Sequence, residues 1–110
     1  MTSEVSTVSQ GVRREQVLDI LEFVDKVNVQ PDTNVYACLL QGCVNSKALE
    51  EGRLVHTHII NSRFNSNLFL LNSIVNVYAK CGSMEDAGQV FDEMYERDMV
   101  TWTALISGYV

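Results

Sequence analysis

The chain repeats itself at a spacing of about 35 residues, and this period constrains its fold more than any other feature. With an offset of 35, residues 36–59 align with residues 71–94, and similar residue types recur in register through a whole helix-turn-helix. With an offset of 31, residues 71–78 align with residues 102–109, so the later unit is four residues shorter. Periods of about 20 to 50 residues are typical of solenoids, whose units bury their apolar faces only by stacking on one another.

Each half of a unit has the apolar spacing of an amphipathic helix. Met84, Ala87, Val90 and Phe91 recur at intervals of three and four residues, which places them on one helical face. A single proline, Pro31, leaves little turn chemistry for an all-β fold. We therefore predict an all-α fold, a right-handed α-α superhelix of helix-turn-helix repeats with about two and a half repeats.

The predicted helix boundaries carry local signals. Gly82 is predicted to end one helix in the left-handed conformation. Ser83 is predicted to cap the next helix, with Asp86 in the capping-box position. Gly52 lies inside a predicted helix where the following unit has Ala87, which indicates a close approach of the paired helices.

Charge and cysteine usage exclude some classes of site. A formal net charge of −6 has the wrong sign for a nucleic-acid-binding surface, unless a basic strip lies elsewhere in a longer array or on one face. Cys38, Cys43 and Cys81 form no CxxC pair, and His56 and His58 lie on different helix faces. We therefore predict no metal, no cofactor and no catalytic residue, and no apolar run approaches the roughly 18 residues of a membrane span.

The two ends of the chain lack organised features. Residues 1–12 are predicted to be disordered, and they resemble neither a signal peptide nor a convincing transit peptide. The chain stops at Tyr109-Val110 inside a predicted helix without a polar capping repeat. We therefore expect a fragment, a truncated gene model or an excised array.

Two segments carry a family resemblance. They are ALEEGRLVHTHIINSRF at residues 48–64 and NSIVNVYAKCGSMEDAGQVFDEMYERDMVTWTALISGYV at residues 72–110. Together they resemble the plant pentatricopeptide-repeat proteins of the subclass that alternates long, short and standard motifs. The resemblance implies the second helix of a degenerate repeat at 13–32 and a long motif at 33–67. It also implies a short motif at 68–98 and the first helix of a truncated motif at 99–110.

The resemblance also implies where RNA would bind. In this family the fifth and last residues of each motif read one base of a single strand, and the second residue sandwiches that base. By position, the reading pairs are Ala37 with Asn67 and Asn72 with Asp98, followed by Thr103 without a last residue. The Asn-Asp combination resembles the one that prefers uracil, and Thr103 resembles the purine-reading class. The base-stacking positions are Asn34, Phe69 and Val100.

Each of these residues also has an ordinary structural explanation. Asn72 near a helix start could cap that helix, and Asp98 could be a plain N-cap, as could Asp32. Phe69 could belong to the apolar core instead of stacking on a base. Ala37 has no polar group with which to read a base.

The function implied by the resemblance is sequence-specific binding of single-stranded RNA in editing, splicing or stability of mitochondrial or plastid transcripts. The partners would be RNA and other RNA-processing proteins, with no small-molecule substrate and no membrane. The alternative is a helical-repeat scaffold for protein partners without RNA binding, which the acidic composition favours.

Overall fold

Six α-helices make up the part of the chain that the structure, a computed structural model, describes, which is residues 13–109. The disorder predicted for residues 1–12 lies outside these residues. The helices are α1 Arg14–Val27, α2 Thr33–Ser46, α3 Leu49–Ile60, α4 Leu68–Lys80, α5 Met84–Glu93 and α6 Met99–Ser107. No strand occurs among residues 13–109, which confirms the all-α fold.

The helices form two layers. We call α2, α4 and α6 the first-helix layer, and α1, α3 and α5 the second-helix layer. In the first-helix layer, α4 packs between α2 and α6, and it also contacts α3 and α5. Successive pairs therefore stack in the order expected of a helical-repeat solenoid. None of these helices is long and apolar enough to cross a bilayer.

The core repeats with the same period as the sequence. Leu39 and Leu40 on α2 are buried, and so are the residues aligned with them at an offset of 35, Ile74 and Val75 on α4. The second helices follow the same rule, since Val55 and Val90 are both buried. Conserving the apolar type at each offset thus lets one packing arrangement recur from unit to unit.

The first helices begin with equivalent caps. The side chains of Asp32, Asn67 and Asp98 each accept a hydrogen bond at 3.0 Å from the backbone N–H three residues ahead. These bonds satisfy donors that a helix N-terminus otherwise leaves free. The three helices consequently start at Thr33, Leu68 and Met99, which are the predicted first residues of the motifs.

One predicted cap is confirmed in its position but not in its hydrogen bond, since Ser83 is the N-cap residue of α5. The Ser83 side chain makes no capping bond to the backbone of α5. Its hydroxyl instead donates to the Asp86 carboxylate at 2.6 Å, and that carboxylate also accepts from Arg53 at 2.8 Å. The hydroxyl proton of Ser83 is thus donated to a charged acceptor, which forms a stronger hydrogen bond than a neutral one. The left-handed glycine is confirmed, since Gly82 has a φ of +84°.

The close approach at Gly52 involves a different helix from the one expected. A Cβ on Gly52 would lie 2.8 Å from Cγ1 of Val77 on α4, but 3.9 Å from Cβ of Cys43 on the paired helix α2. The tight contact therefore joins α3 to the first helix of the following unit. The prediction of close approach within the pair is wrong, because stacking between units sets the spacing here.

Charge is divided unevenly between the layers. Ten of the fourteen acidic residues of the chain lie on the three second helices. The three first helices contain one charged residue, Lys80 at the end of α4. The acidic balance of the whole chain is thus a property of one layer, and the other layer is almost neutral.

Candidate nucleic-acid interface

An open groove lies between α4 and α6 on the first-helix layer. Phe69 and Val100 project from the first turns of these helices and remain 60% and 59% exposed. The interpretation that Phe69 belongs to the core is therefore wrong. The groove is lined by Phe69, Asn72, Ser73, Asn76, Val100, Thr103 and Ala104.

Four of the predicted site residues meet at this groove. Phe69 and Val100 occupy the base-stacking positions of two successive motifs, and Asn72 and Thr103 occupy the corresponding reading positions. A flat aromatic ring, an aliphatic side chain and polar groups between them are the elements that single-strand binders use to hold a base. The structure thus brings together residues that are up to 34 positions apart in the sequence.

The Asn72 amide is held by two residues from the start of α6. Its Nδ2 donates to Asp98 Oδ1 at 3.1 Å, and its Oδ1 accepts a hydrogen bond from the Thr101 hydroxyl. Asn72 is 6% exposed, and Thr101 is completely buried. Asn72 is not a helix cap, because Asn67 caps α4. The capping interpretation of Asn72 is therefore wrong.

Asp98 combines two roles in one carboxylate. It caps α6 through the Thr101 backbone N–H at 3.0 Å, and it accepts the Asn72 amide. The interpretation of Asp98 as an N-cap is correct but incomplete, whereas Asp32 is the N-cap of α2. The hydrogen bonds from the backbone and side chain of Thr101, with a further one from Asn72, lower the pKa of Asp98. The carboxylate is thus an acceptor without a proton to donate at neutral pH.

The preceding motif lacks an equivalent arrangement. Ala37 is half-buried and packs against the core, and Asn67 uses its side-chain oxygen to accept from Leu70 N. Asn34 is exposed on the first turn of α2. Since alanine offers no hydrogen bond, residues 37 and 67 cannot form a reading pair like that of Asn72 and Asp98.

Thr101 was not among the residues that the sequence predicted. Its side chain bridges the reading pair, and its hydroxyl also accepts from the Asp98 backbone N–H at 3.1 Å. The signal in the sequence was the spacing of Asp98 and Thr101, which is that of a capping box at the start of α6. A capping box does not reveal that the same hydroxyl reaches a side chain on another helix.

His56 and His58 each lie within hydrogen-bond distance of a tyrosine hydroxyl on a neighbouring helix. His56 Nδ1 lies 2.7 Å from the hydroxyl of Tyr78 on α4, and His58 Nδ1 lies 2.7 Å from that of Tyr36 on α2. His58 Nε2 also lies 2.8 Å from Asp25 on α1. The two rings therefore point to opposite neighbours and join α3 to the units on both sides.

Comparison with known proteins identifies the family of the chain. A family model described as the PPR repeat matches residues 69–99 and 100–110, the part that forms the groove. The chain belongs to the pentatricopeptide-repeat family. The assignment of its motifs to long, short and standard types stays a prediction.

Similar proteins come from Arabidopsis thaliana. A mitochondrial pentatricopeptide repeat-containing protein is 48% identical over 81 residues, which cover 74% of this chain and 13% of the relative. A chloroplastic one is 34% identical over 108 residues, which cover 98% of this chain and 18% of the relative. A second mitochondrial one is 34% identical over 110 residues, which cover 99% of this chain and 14% of the relative.

The chain thus spans less than a fifth of the length of these relatives. Their names place them in mitochondria or chloroplasts. Plant pentatricopeptide-repeat proteins are in general organellar RNA-binding factors and are not typically enzymes.

Proposed function

We propose that this chain is a single-stranded-RNA-binding module of a factor that acts in mitochondrial or plastid RNA processing. Editing, splicing and transcript stability are the processes in which such a module would serve, alongside other RNA-processing proteins. The groove between α4 and α6 is where one base would bind, with Phe69 and Val100 on its two faces and Asn72 at its floor. The observation that carries this proposal is the amide of Asn72, held by Asp98 between two exposed apolar side chains.

The distribution of charge supports RNA over a protein partner at this surface. The net charge of −6 favoured a protein scaffold when only the composition was considered. The acidic residues lie mainly on the second helices, whereas the groove lies on the almost neutral first helices. None of the residues that line the groove is charged, and Asp98, the acidic residue that contacts Asn72 there, is engaged by hydrogen bonds from Asn72 and Thr101.

The affinity of these 110 residues alone is expected to be modest. The groove offers one complete reading pair, and each base contact is worth about 1–3 kcal/mol. The cost of association removes most of such a gain. A dissociation constant in the range from about micromolar to millimolar is therefore expected, and a sub-micromolar value at physiological salt would contradict this estimate.

Nuclear magnetic resonance suits an affinity of this size. The ¹⁵N-labelled chain is titrated with short adenosine strands that carry one central uridine or one central cytidine. We expect the Asn72 Nδ2 proton signals to shift with the uridine strand, and Asn72→Ala to weaken binding of that strand. Asn45→Ala, on α2 and away from the groove, is the matched control. Equal binding of both strands by the wild type and by Asn72→Ala would refute the proposal.

A further inference from the structure

The Thr101 hydroxyl contacts the reading pair of Asn72 and Asp98 from the buried side, away from the groove. Thr101 is completely buried at the third position of α6, and it is absent from the groove lining. Its hydroxyl donates to Asn72 Oδ1 and accepts from the Asp98 backbone N–H at 3.1 Å. A base in the groove would therefore not contact Thr101, and any influence of Thr101 on recognition must pass through Asn72, either directly or through Asp98.

The two polar atoms of the Asn72 amide have different fixed partners. The ionised carboxylate of Asp98 accepts hydrogen bonds only, so it requires Nδ2 on its side. The one proton of the Thr101 hydroxyl lies within reach of two oxygens, Asn72 Oδ1 and, at 3.0 Å, Asp98 Oδ1. Asp98 Oδ1 also accepts from Asn72 Nδ2 and from the Thr101 N–H, whereas the hydroxyl is the donor to Asn72 Oδ1. A rotated amide would place two acceptors together at Asp98 and an N–H against the hydroxyl. The hydrogen bond from Thr101 is thus a second constraint on the orientation of the Asn72 amide.

This orientation determines what Asn72 offers to a base. With Oδ1 engaged by Thr101 and one N–H engaged by Asp98, the second N–H of Nδ2 is the hydrogen-bond donor that remains for a ligand. A donor at that point matches a base whose edge carries a carbonyl oxygen, such as uracil. Cytosine presents an amino group at the equivalent atom and would leave two donors facing each other.

We propose that Thr101 is a specificity-determining positioning residue, which fixes the Asn72 amide as a hydrogen-bond donor toward the base. This inference rests on the proposed function, since it concerns the same groove. It assigns discrimination between bases to three side chains, Asn72, Asp98 and Thr101, of which Thr101 is hidden from the RNA.

The test compares Thr101→Val, which removes the hydroxyl while keeping the shape, with Thr101→Ser, which keeps the hydroxyl. The 110-residue chain is titrated with the uridine and cytidine strands, and the ratio of the two dissociation constants is measured. We expect Thr101→Val to reduce the preference for uridine by about three- to tenfold, the worth of one hydrogen bond. Thr101→Ser is expected to retain the preference. In RNA-free Thr101→Val, the Asn72 Nδ2 signals should move from their wild-type positions.

The controls separate this inference from the proposed function. If the wild type binds both strands equally, the proposed function fails. If the wild type prefers uridine through Asn72 but folded Thr101→Val keeps the same ratio, the inference alone is overturned. A uniform loss of affinity for both strands would also overturn it, because that is the signature of a purely structural role. Should Thr101→Val not fold, Thr101→Ser and Thr101→Cys give the same comparison, since a thiol of similar shape is a weak donor.

Discussion

Asn72 and Asp98 are 26 residues apart in the chain, and their side chains meet at 3.1 Å where α6 begins. Asp98 therefore supports both the helix that it caps and an amide on the neighbouring first helix. Asp32 caps α2 through an equivalent bond to Val35 N at 3.0 Å.

The first prediction compares these two caps. Asp32→Ala is expected to lower the free energy of unfolding by about 1 kcal/mol, the usual cost of a lost N-cap. Asp98→Ala is expected to cost more, because it also removes an acceptor from the nearly buried Asn72 amide. Urea denaturation of the two variants and the wild type measures the difference. Equal losses would show that the bond between Asn72 and Asp98 contributes nothing to stability.

The second prediction concerns the exposed ring at the groove. Phe69→Ala is expected to weaken binding of the uridine strand by about 1–3 kcal/mol, since stacking on a base is worth that much in single-strand binders. Stability should change little, because the side chain is 60% exposed. Phe23 on α1 is 63% exposed and lies outside the first-helix layer, so Phe23→Ala serves as the control. A similar loss of RNA binding in both variants would contradict a stacking role for Phe69.

The third prediction uses two helical glycines with opposite surroundings. Gly88→Ala is expected to raise the free energy of unfolding by about 0.5–1 kcal/mol, since a Cβ there meets nothing within 4 Å. Gly52→Ala is expected to lower it, because its Cβ would lie 2.8 Å from Val77 Cγ1 and must displace α4 or that side chain. Thermal unfolding followed by circular dichroism distinguishes the two signs. Stabilisation by Gly52→Ala would show that the spacing between α3 and α4 is not tight.

The fourth prediction is a loss of stability in mild acid. Burial lowers the pKa of His56, and the nearby carboxylates of Glu93 and Asp86 only partly oppose this effect. The folded state therefore favours the neutral ring, whose Nδ1 can accept the Tyr78 hydroxyl proton. In the unfolded chain the ring takes up a proton near pH 6.5. The stability that comes from the neutral His56 ring is therefore present above about pH 6.5. It is lost as the pH falls from there through the lowered pKa of His56 in the folded state.

Urea denaturation at about pH 7.5 and pH 5.5 measures this loss. His56→Gln should reduce the difference in unfolding free energy between the two pH values, and His58→Gln, which leaves His56 in place, is the control. An unchanged difference in His56→Gln would assign the acid sensitivity to other groups, such as the carboxylates.

Much of the fold could be predicted because each repeat has its own capping residues and apolar spacing, which are local features of the sequence. The offsets of 35 and 31 place the caps Asp32, Asn67 and Asp98 at the same point of each unit, and the apolar stripes give the helices between them. Ser83 and Gly52 were misjudged for a shared reason. A carboxylate bonded to Arg53 on α3 takes the Ser83 hydroxyl, and a side chain from the following unit fills the space beside Gly52. Both neighbours are brought in by stacking between units, which no local pattern records.

The candidate site likewise has features that the sequence predicts and features that depend on packing between helices. The sequence by itself determined the helix pairs and the nearly uncharged first helices. It also determined that Phe69 and Val100, and likewise Asn72 and Thr103, occupy equivalent positions of successive units. Only the tertiary structure decided that Asp98 and Thr101 hold the two ends of the Asn72 amide, and that the acidic charge lies on the other layer. The physical reason is that helical periodicity is encoded within a few residues, whereas these contacts depend on how α6 packs against α4.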